Sequence, residues 1–138
     1  MKVIQKLDIK TIGYISTFEK ITKNHPIAFL EKNGQLIFIV KEGTARKTIG
    51  PRGSNIKRLS NMLAKSIKVI EYSKDPQKFL LNIVFPIKPE LIEQHEDTLL
   101  IRPSTHEDKA RLIGRNSNNI NFTKALLKKH HNLDVRVA

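Results

Sequence analysis

The first third of the chain has the apolar spacing of a helix and then that of a β-hairpin. A helix is predicted over residues 9–23, and it ends at "NHP" because the residue before a proline avoids helical angles. The next two runs, "PIAFLEK" and "QLIFIVK", are strand-like, and Asn33-Gly34 between them is a favoured two-residue turn pair. The apolar positions of the helix are Ile9, Ile12, Ile15, Phe18 and Ile21.

Two further helices are predicted on either side of a pair of glycines. The first covers about residues 43–49, and the second covers about residues 54–65. Ser54 stands where a hydroxyl can cap the second helix. "SIKVIEYS" (66–73) alternates like a strand. The apolar face of the second helix consists of Ile56, Leu59, Met62 and Leu63.

The remaining sequence predicts the same succession of elements again. "KDP" (74–76) is the expected boundary, and Asp75 can cap a helix that opens with Pro76 and carries Phe79, Leu80 and Ile83. "LIEQHEDTLLIRP" predicts a hairpin that turns near His95–Asp97. A helix at about 105–113, a break at "GRNS", a helix at about 118–130 and a strand "LDVRV" follow.

Residue identities at a fixed separation indicate an internal duplication. Gly114 lies 64 positions after Gly50, and eight identical pairs share this offset, while the last strand is displaced by about two further residues. We therefore expect an α+β protein with two domains, residues 1–74 and 75–138, each a three-stranded sheet packed against helices. Because each half is near the lower size limit for a domain, we expect the two to be tightly juxtaposed. The first members of the eight pairs are Leu36, Ile37, Ile49, Gly50, Asn55, Ile56, Leu63 and Lys65.

Composition narrows the function further. The chain has 138 residues and no cysteine, which excludes disulfides and thiolate metal sites and suits a reducing cytosol. The start, "MKVIQKLDIK", lacks the apolar segment of a secretory signal, and no apolar run approaches membrane-spanning length. We therefore expect a cytoplasmic protein.

Charge points to a polyanionic partner. Lysine and arginine number 25 against 13 acids, a net charge of +12. Such an excess favours nucleic acid over an anionic membrane, and the remaining alternative is a basic surface that only maintains solubility. The excess is concentrated in residues 41–68, which hold eight basic residues and one acid, Glu42. These basic residues are Lys41, Arg46, Lys47, Arg52, Lys57, Arg58, Lys65 and Lys68.

The stretch "IGPRGSNIKRL" (49–59) lies at the centre of this basic region. Unpaired N–H groups and the dipole at the start of a helix together form an anion site. Gly50 can end the first helix with a positive φ, and Gly53 allows a sugar-phosphate chain to approach. Arg52 is a bidentate phosphate donor. Ser54 and Asn55 are neutral donors, Lys57 and Arg58 extend the positive track, and Ile49 and Ile56 can line a floor for bases. An ordinary corner between two helices is the alternative.

These residues resemble a known family. The segment "KEGTARKTIGPRGSNIKRLSNMLAKSIKVIEYS" is similar to a KH domain of the prokaryotic topology (type II), whose GXXG loop clamps the backbone of four nucleotides. Two such modules in one short chain resemble the paired KH region of the NusA family of transcription factors, in its archaeal form. The resemblance implies single-stranded RNA binding on nascent transcripts, in pausing, termination or antitermination. We also expect a monomer with no membrane partner, and an RNA polymerase elongation complex is a further candidate partner.

The resemblance assigns the nucleic-acid loops by position. The first loop falls on Gly50, Pro51, Arg52 and Gly53, where Pro51 lacks an N–H group. The second loop falls on Gly114, Arg115, Asn116 and Ser117, and Ser117 places a side chain at the point of closest approach. We therefore expect the first module to supply most of the affinity.

Other chemistries fit less well. "GTARKTIG" lacks the spacing of a P-loop, and "HEDKA" (106–110) lacks the second histidine of a zinc helix. His130 and His131 fit a helix end better than a metal site. We expect no catalytic residues, no metal and no cofactor, and hence no enzyme. A structural or assembly component of a ribonucleoprotein, such as the ribosome, stays open as the second function.

Overall fold

The computed structural model describes residues 8–138 together with the backbone of residues 2–3. The chain is an α+β protein that divides into two compact units, Met1–Tyr72 and Ser73–Ala138. In the described part of the chain, no helix has both the length and the apolar character needed to cross a membrane.

The first unit contains one mixed sheet and three helices among its described residues. The sheet order is β1-β2-β3-β4, with β2 and β3 antiparallel and β3 and β4 parallel. We expected three strands, but β1 pairs with the outer edge of β2 and adds a fourth. The elements are β1 (Lys2–Val3), α1 (Ile9–Thr22), β2 (Ala28–Lys32), β3 (Gln35–Val40), α2 (Ala45–Ile49), α3 (Ser54–Leu63) and β4 (Ser66–Glu71).

The hairpin β2–β3 forms as its turn residues predict. Lys32 pairs with Gln35, which leaves Asn33 and Gly34 as a two-residue turn. Both turn residues have positive φ, 51° and 79°, as the favoured hairpin turn requires.

Helix α1 is confirmed, but two of its predicted apolar positions, Ile9 and Ile12, are exposed. Asp8 caps its first turn by accepting the Thr11 N–H at 2.7 Å. The side chains that enter the interior are Tyr14, Phe18 and Thr22, whereas Ile9 is 89% exposed. Residues three apart drift around a helix of 3.6 residues per turn, so a series in steps of three leaves the buried face.

The helix-facing side of the first sheet forms an apolar core. The rings of Phe18 and Phe38 stack with their centroids 4.1 Å apart. Leu59 of α3 is fully buried in the same cluster, and Ile56 and Leu63 pack at its margin. Met62, which the periodicity also assigned to this face, is 59% exposed. The core therefore fixes α3 and the loop before it against the sheet.

The second unit repeats this architecture. Its sheet order is β5-β6-β7, with β5 and β6 antiparallel and β6 and β7 parallel. Asp75 caps α4 by accepting the Gln77 N–H at 3.0 Å, and Phe79, Leu80 and Ile83 are buried, as predicted. The elements are α4 (Pro76–Val84), β5 (Leu91–His95), β6 (Thr98–Arg102), α5 (His106–Ile113), α6 (Asn118–His131) and β7 (Asp134–Val137).

The duplication is present, but the offset between equivalent residues changes along the chain. Gln35 and Thr98 each follow a two-residue turn, so the hairpins correspond at an offset of 63. Leu36 is therefore equivalent to Leu99, and the expected pairing with Leu100 is wrong. A slip of one residue moves a side chain to the other face of a strand, and Leu99 is fully buried as Leu36 is.

The last strands correspond at an offset of 68. Ser66 pairs with Gln35 and Asp134 with Thr98, which makes Ser66 and Asp134 equivalent. We expected the last strand to be displaced by about two residues beyond the offset of 64, through a longer loop. The observed displacement is four residues. Instead the helix itself is longer, since α6 has 14 residues and α3 has 10. Four residues add about one turn, so the added length keeps the same helix face toward the sheet.

Candidate nucleic-acid interface

The loop between α2 and α3 is a tight corner with three residues at positive φ. Gly50 ends α2 with φ 81° and ψ 166°, and its N–H group donates to the Arg46 carbonyl at 3.0 Å. Pro51–Gly53 form a single 3-10 turn, in which Arg52 has φ 55° and Gly53 has φ 73°. These residues therefore connect α2 to α3 through only four positions, Gly50–Gly53.

Gly50 and Asn55 hold this corner together. The Asn55 Nδ2 group donates to the Thr48 carbonyl at 3.2 Å and to the Lys47 carbonyl at 3.5 Å. A Cβ atom on residue 50 would stand 2.9 Å from Asn55 Cγ. The Asn55 amide nitrogen, expected among the RNA donors, thus ties α3 to the end of α2. A contact from Asn55 to RNA stays a prediction.

The start of α3 is open at its first turn. Ser54 does not cap the helix, because it is already helical with φ −59° and the cap position belongs to Gly53. Within the described residues, no side chain caps the first turn of α3. The Ser54 N–H already donates to the Pro51 carbonyl, so an anion would bind the N–H groups that follow it in this turn, where the helix dipole favours negative charge.

The predicted contact residues are at the surface. Ile49, Gly53 and Ile56 are half-buried. The exposed residues of the loop and of the first turns of α3 are Pro51, Arg52, Ser54, Lys57 and Arg58.

A groove of about 560 Å³ runs beside α3 to the start of β4. Ile56 and Lys57 line it, as expected of a base floor next to a cation. Helical periodicity could have found Ser60, because it lies one turn after Ile56 on the same face. The lining residues that were not predicted from the sequence are Ser60, Ala64, Lys65, Ser66 and Ile67.

The approach helix α2 is fixed by contacts from distant parts of the first unit. The Glu71 carboxylate accepts the Ala45 N–H at 2.9 Å, where an acid suits a helix start. The Asn24 Nδ2 group donates to the hydroxyls of Thr48 and Thr44, at 2.8 and 3.2 Å. The helix before the loop is therefore held in place by Asn24, which follows α1, and by Glu71 of β4.

One basic residue of the 41–68 stretch does not belong with this surface. Lys68 pairs with Ile37 and follows Ile67, which packs against the core, so Lys68 lies on the other face of the sheet. Burial lowers the pKa of Lys68, and the nearby Lys32 lowers it further.

The second loop follows the same backbone path as the first. Gly114 has φ 75° and ψ 170°, Asn116 has φ 54° and Ser117 has φ 61°. The Asn119 Nδ2 group donates to the Arg111 carbonyl at 2.7 Å, as Asn55 does in the first unit. Ser117 thus adopts the left-handed conformation that Gly53 has, and the backbone of the second loop does not differ from that of the first at this residue. Arg115, Asn116 and Ser117 are all exposed.

Three of the five histidines lie at helix ends. His106, Glu107 and Asp108 form the first turn of α5, where the Thr105 hydroxyl accepts the Asp108 N–H at 3.0 Å. His130 and His131 lie in the last turn of α6. Across the residues that the structure describes, no three histidine or acidic side chains gather as a metal site.

Several known proteins are similar to this chain, although no protein-family model matches it. The probable transcription termination protein NusA of Methanococcus vannielii is 34% identical over 118 residues, or 83% of this chain and 68% of that protein. Its namesake in Methanocaldococcus jannaschii is 31% identical over 129 residues, or 91% and 70%. The crystal structure of APE1850 matches with a TM-score of 0.68 and 29% identity, over 96% of this chain and 100% of that chain.

Two repeated α+β units, each with a glycine-initiated corner between helices, define the chain as a small basic protein with a duplicated fold. Its similarity to the archaeal proteins goes further than that class. The chain belongs to the family of the probable transcription termination protein NusA.

Proposed function

We propose that the chain is an RNA-binding protein made of two KH domains of the prokaryotic topology, residues 1–74 and 75–138. The element order of each unit supports this, because helix, strand, strand, helix, loop, helix and strand follow one another with the last two strands of the sheet parallel. Neither unit is proposed to have catalytic activity.

The observation that carries the proposal is the loop Gly50–Gly53. Its positive-φ path places Arg52 next to the uncapped start of α3, where Gly53 carries no side chain. Phosphate fits such a site, and Arg52, Lys57 and Arg58 add charge to it. The sugar-phosphate backbone of RNA is proposed to cross the loop at Gly53, where no side chain blocks it.

Bases then enter the groove beside α3. Its floor is apolar at Ile56 and Ile67, and its rim carries Lys57 and the hydroxyls of Ser60 and Ser66. The unstacked bases of a single strand can enter such a groove, whereas the bases of a duplex stay paired and stacked. In the second unit, Arg115, Asn116 and Ser117 are proposed to make weaker contacts. The reason is that the three cations of the first unit, Arg52, Lys57 and Arg58, are replaced there by Asn116, Asn121 and Phe122.

The role of the RNA contact is proposed from the family. The relatives are named probable transcription termination proteins, so we place this chain on nascent transcripts, in termination, antitermination or pausing. RNA polymerase is a candidate partner. Co-purification separates this role from a ribonucleoprotein component, because polymerase with nascent RNA supports the first and ribosomal particles support the second.

A charge reversal in the first loop tests the proposal. Pro51→Asp together with Arg52→Asp places two negative charges at the phosphate site and leaves both glycines intact. We expect a large loss of affinity for single-stranded RNA in filter binding, with an unchanged melting temperature because both residues are exposed. Full affinity in the folded variant would show that the loop is only a corner between helices.

A further inference from the structure

The second unit contains an ion pair at the place where the first unit has its open groove. Lys124 Nζ on α6 lies 3.3 Å from Asp134 Oδ1 at the start of β7. By the offsets along the helix and the strand, Lys124 is equivalent to Ser60 and Asp134 to Ser66. Both serines line the groove of the first unit.

The residue that follows Asp134 is also more deeply buried than the residue that follows Ser66. Val135, which follows Asp134, is fully buried, whereas its equivalent Ile67 is partly exposed on the groove floor. The Asp134 side chain is also held from its own strand, because Oδ1 accepts the Val135 N–H at 2.8 Å. The carboxylate therefore stays at the helix–strand boundary, where Lys124 reaches it.

We propose that the Lys124–Asp134 ion pair closes the base-binding groove of the second unit, so that this unit contacts RNA through its loop alone. This inference rests on the proposed RNA-binding function and adds a reason for unequal units. The loop backbone is the same in both units, so the difference lies in the Ser117 side chain, in the groove and in the charges. A carboxylate at the groove also repels the phosphates of a strand that would lie there.

Breaking the pair without changing the net charge isolates the effect of closure. The double variant Lys124→Ser/Asp134→Ser restores the two serines of the first unit and removes one charge of each sign. The probe is a single-stranded RNA of about 12 nucleotides, long enough to span two four-nucleotide clamps. The variant is made in the full chain, both alone and with Pro51→Asp/Arg52→Asp, which isolates the second unit.

In the background with the reversed first loop, we expect the double variant to bind this RNA at least about fivefold more tightly, which corresponds to about 1 kcal/mol for one new hydrogen bond between a serine hydroxyl and a base. Photo-crosslinking should place a nucleotide next to Ile120 or Val135 in the double variant alone. Both pair residues are about half exposed, and surface ion pairs contribute little to stability, so the fold should persist. Lys124→Ser/Asp134→Asn is a second form that keeps an oxygen acceptor for the Val135 N–H.

The single variants separate closure from simple charge effects. If charge alone matters, Asp134→Ser tightens binding, Lys124→Ser weakens it, and the neutral double variant binds like its parent. That last result, with RNA bound by the unsubstituted protein, would overturn this inference and leave the proposed function intact. If the unsubstituted protein binds no RNA, the proposed function fails and the inference fails with it.

Discussion

Replacing Gly50 by alanine is expected to destabilise the first unit, because the corner needs both its backbone angles and its lack of a side chain. A non-glycine residue at φ 81° and ψ 166° occupies a region that is almost closed to it, at a cost of about 1–3 kcal/mol. The new Cβ would also stand 2.9 Å from Asn55 Cγ and from Ser54 Oγ.

Displacing Asn55 adds the loss of its hydrogen bonds to the end of α2, about 0.5–1.5 kcal/mol. Alanine also restricts the unfolded chain, which offsets about 0.4–1 kcal/mol. The expected net loss in the free energy of unfolding is therefore about 2 kcal/mol, and the backbone strain and the lost hydrogen bonds set its size. Denaturant unfolding followed by circular dichroism measures it.

Gly13→Ala provides the matched control. Gly13 lies in the middle of α1 on its exposed side, and a Cβ atom there would meet nothing within 4 Å. Since alanine is the better helix former, this variant should be more stable by about 0.5–1 kcal/mol. A double-mutant cycle with Asn55→Ala should recover part of the Gly50→Ala cost. A Gly50→Ala cost below about 0.5 kcal/mol, the range of a neutral surface change, would refute the reasoning.

Three further predictions concern binding and pH. Single-stranded RNA should bind more tightly than a duplex of equal length in filter binding, and four to six neutralised phosphates imply a log–log salt slope of roughly −3 to −4; a flat response would contradict the phosphate contacts. Arg115→Asp/Asn116→Asp should reduce affinity for one RNA less than Pro51→Asp/Arg52→Asp does, and an equal or larger loss would reverse the proposed asymmetry. Burial holds the pKa of His130 below its ordinary value, and the nearby charges of Lys129 and His131 lower it further. The folded state therefore binds fewer protons than the unfolded state, so the free energy of unfolding should fall as the pH drops below about 6.5. Unfolding at several pH values should show a smaller pH dependence for His130→Gln, and an unchanged dependence would rule out this cause.

The sequence was sufficient to predict turns and helix ends, because these depend on residues that are adjacent in the chain. Asn33-Gly34 determines a two-residue turn, and Asp75 with Pro76 determines the start of α4, because each depends on residues next to it. Gly50 ends α2 for the same reason. Element order and the glycine loops could therefore be predicted from the amino-acid sequence alone.

Other features depend on distant partners, and there the sequence misled or was silent. Ile9 and Ile12 match a helical spacing, yet burial depends on where the sheet lies, which favours Tyr14 and Phe18. Ser54 resembles a cap, but the left-handed Gly53 takes the cap position. The groove residue Ser66 comes from a strand that follows α3 in sequence, and only the folded unit brings it beside Ile56.

The longer helix of the second unit sets a rule for changes of length in this fold. Each added residue turns a helix by about 100° and lengthens it by about 1.5 Å. The four extra residues of α6 therefore lengthen the helix by about 6 Å while rotating its end by only about 40° beyond a full turn. An extension of two residues would rotate everything after it by about 200° and turn the opposite face of the helix toward the sheet. Spacers engineered between the loop and the last strand of either unit should accordingly be added in whole turns.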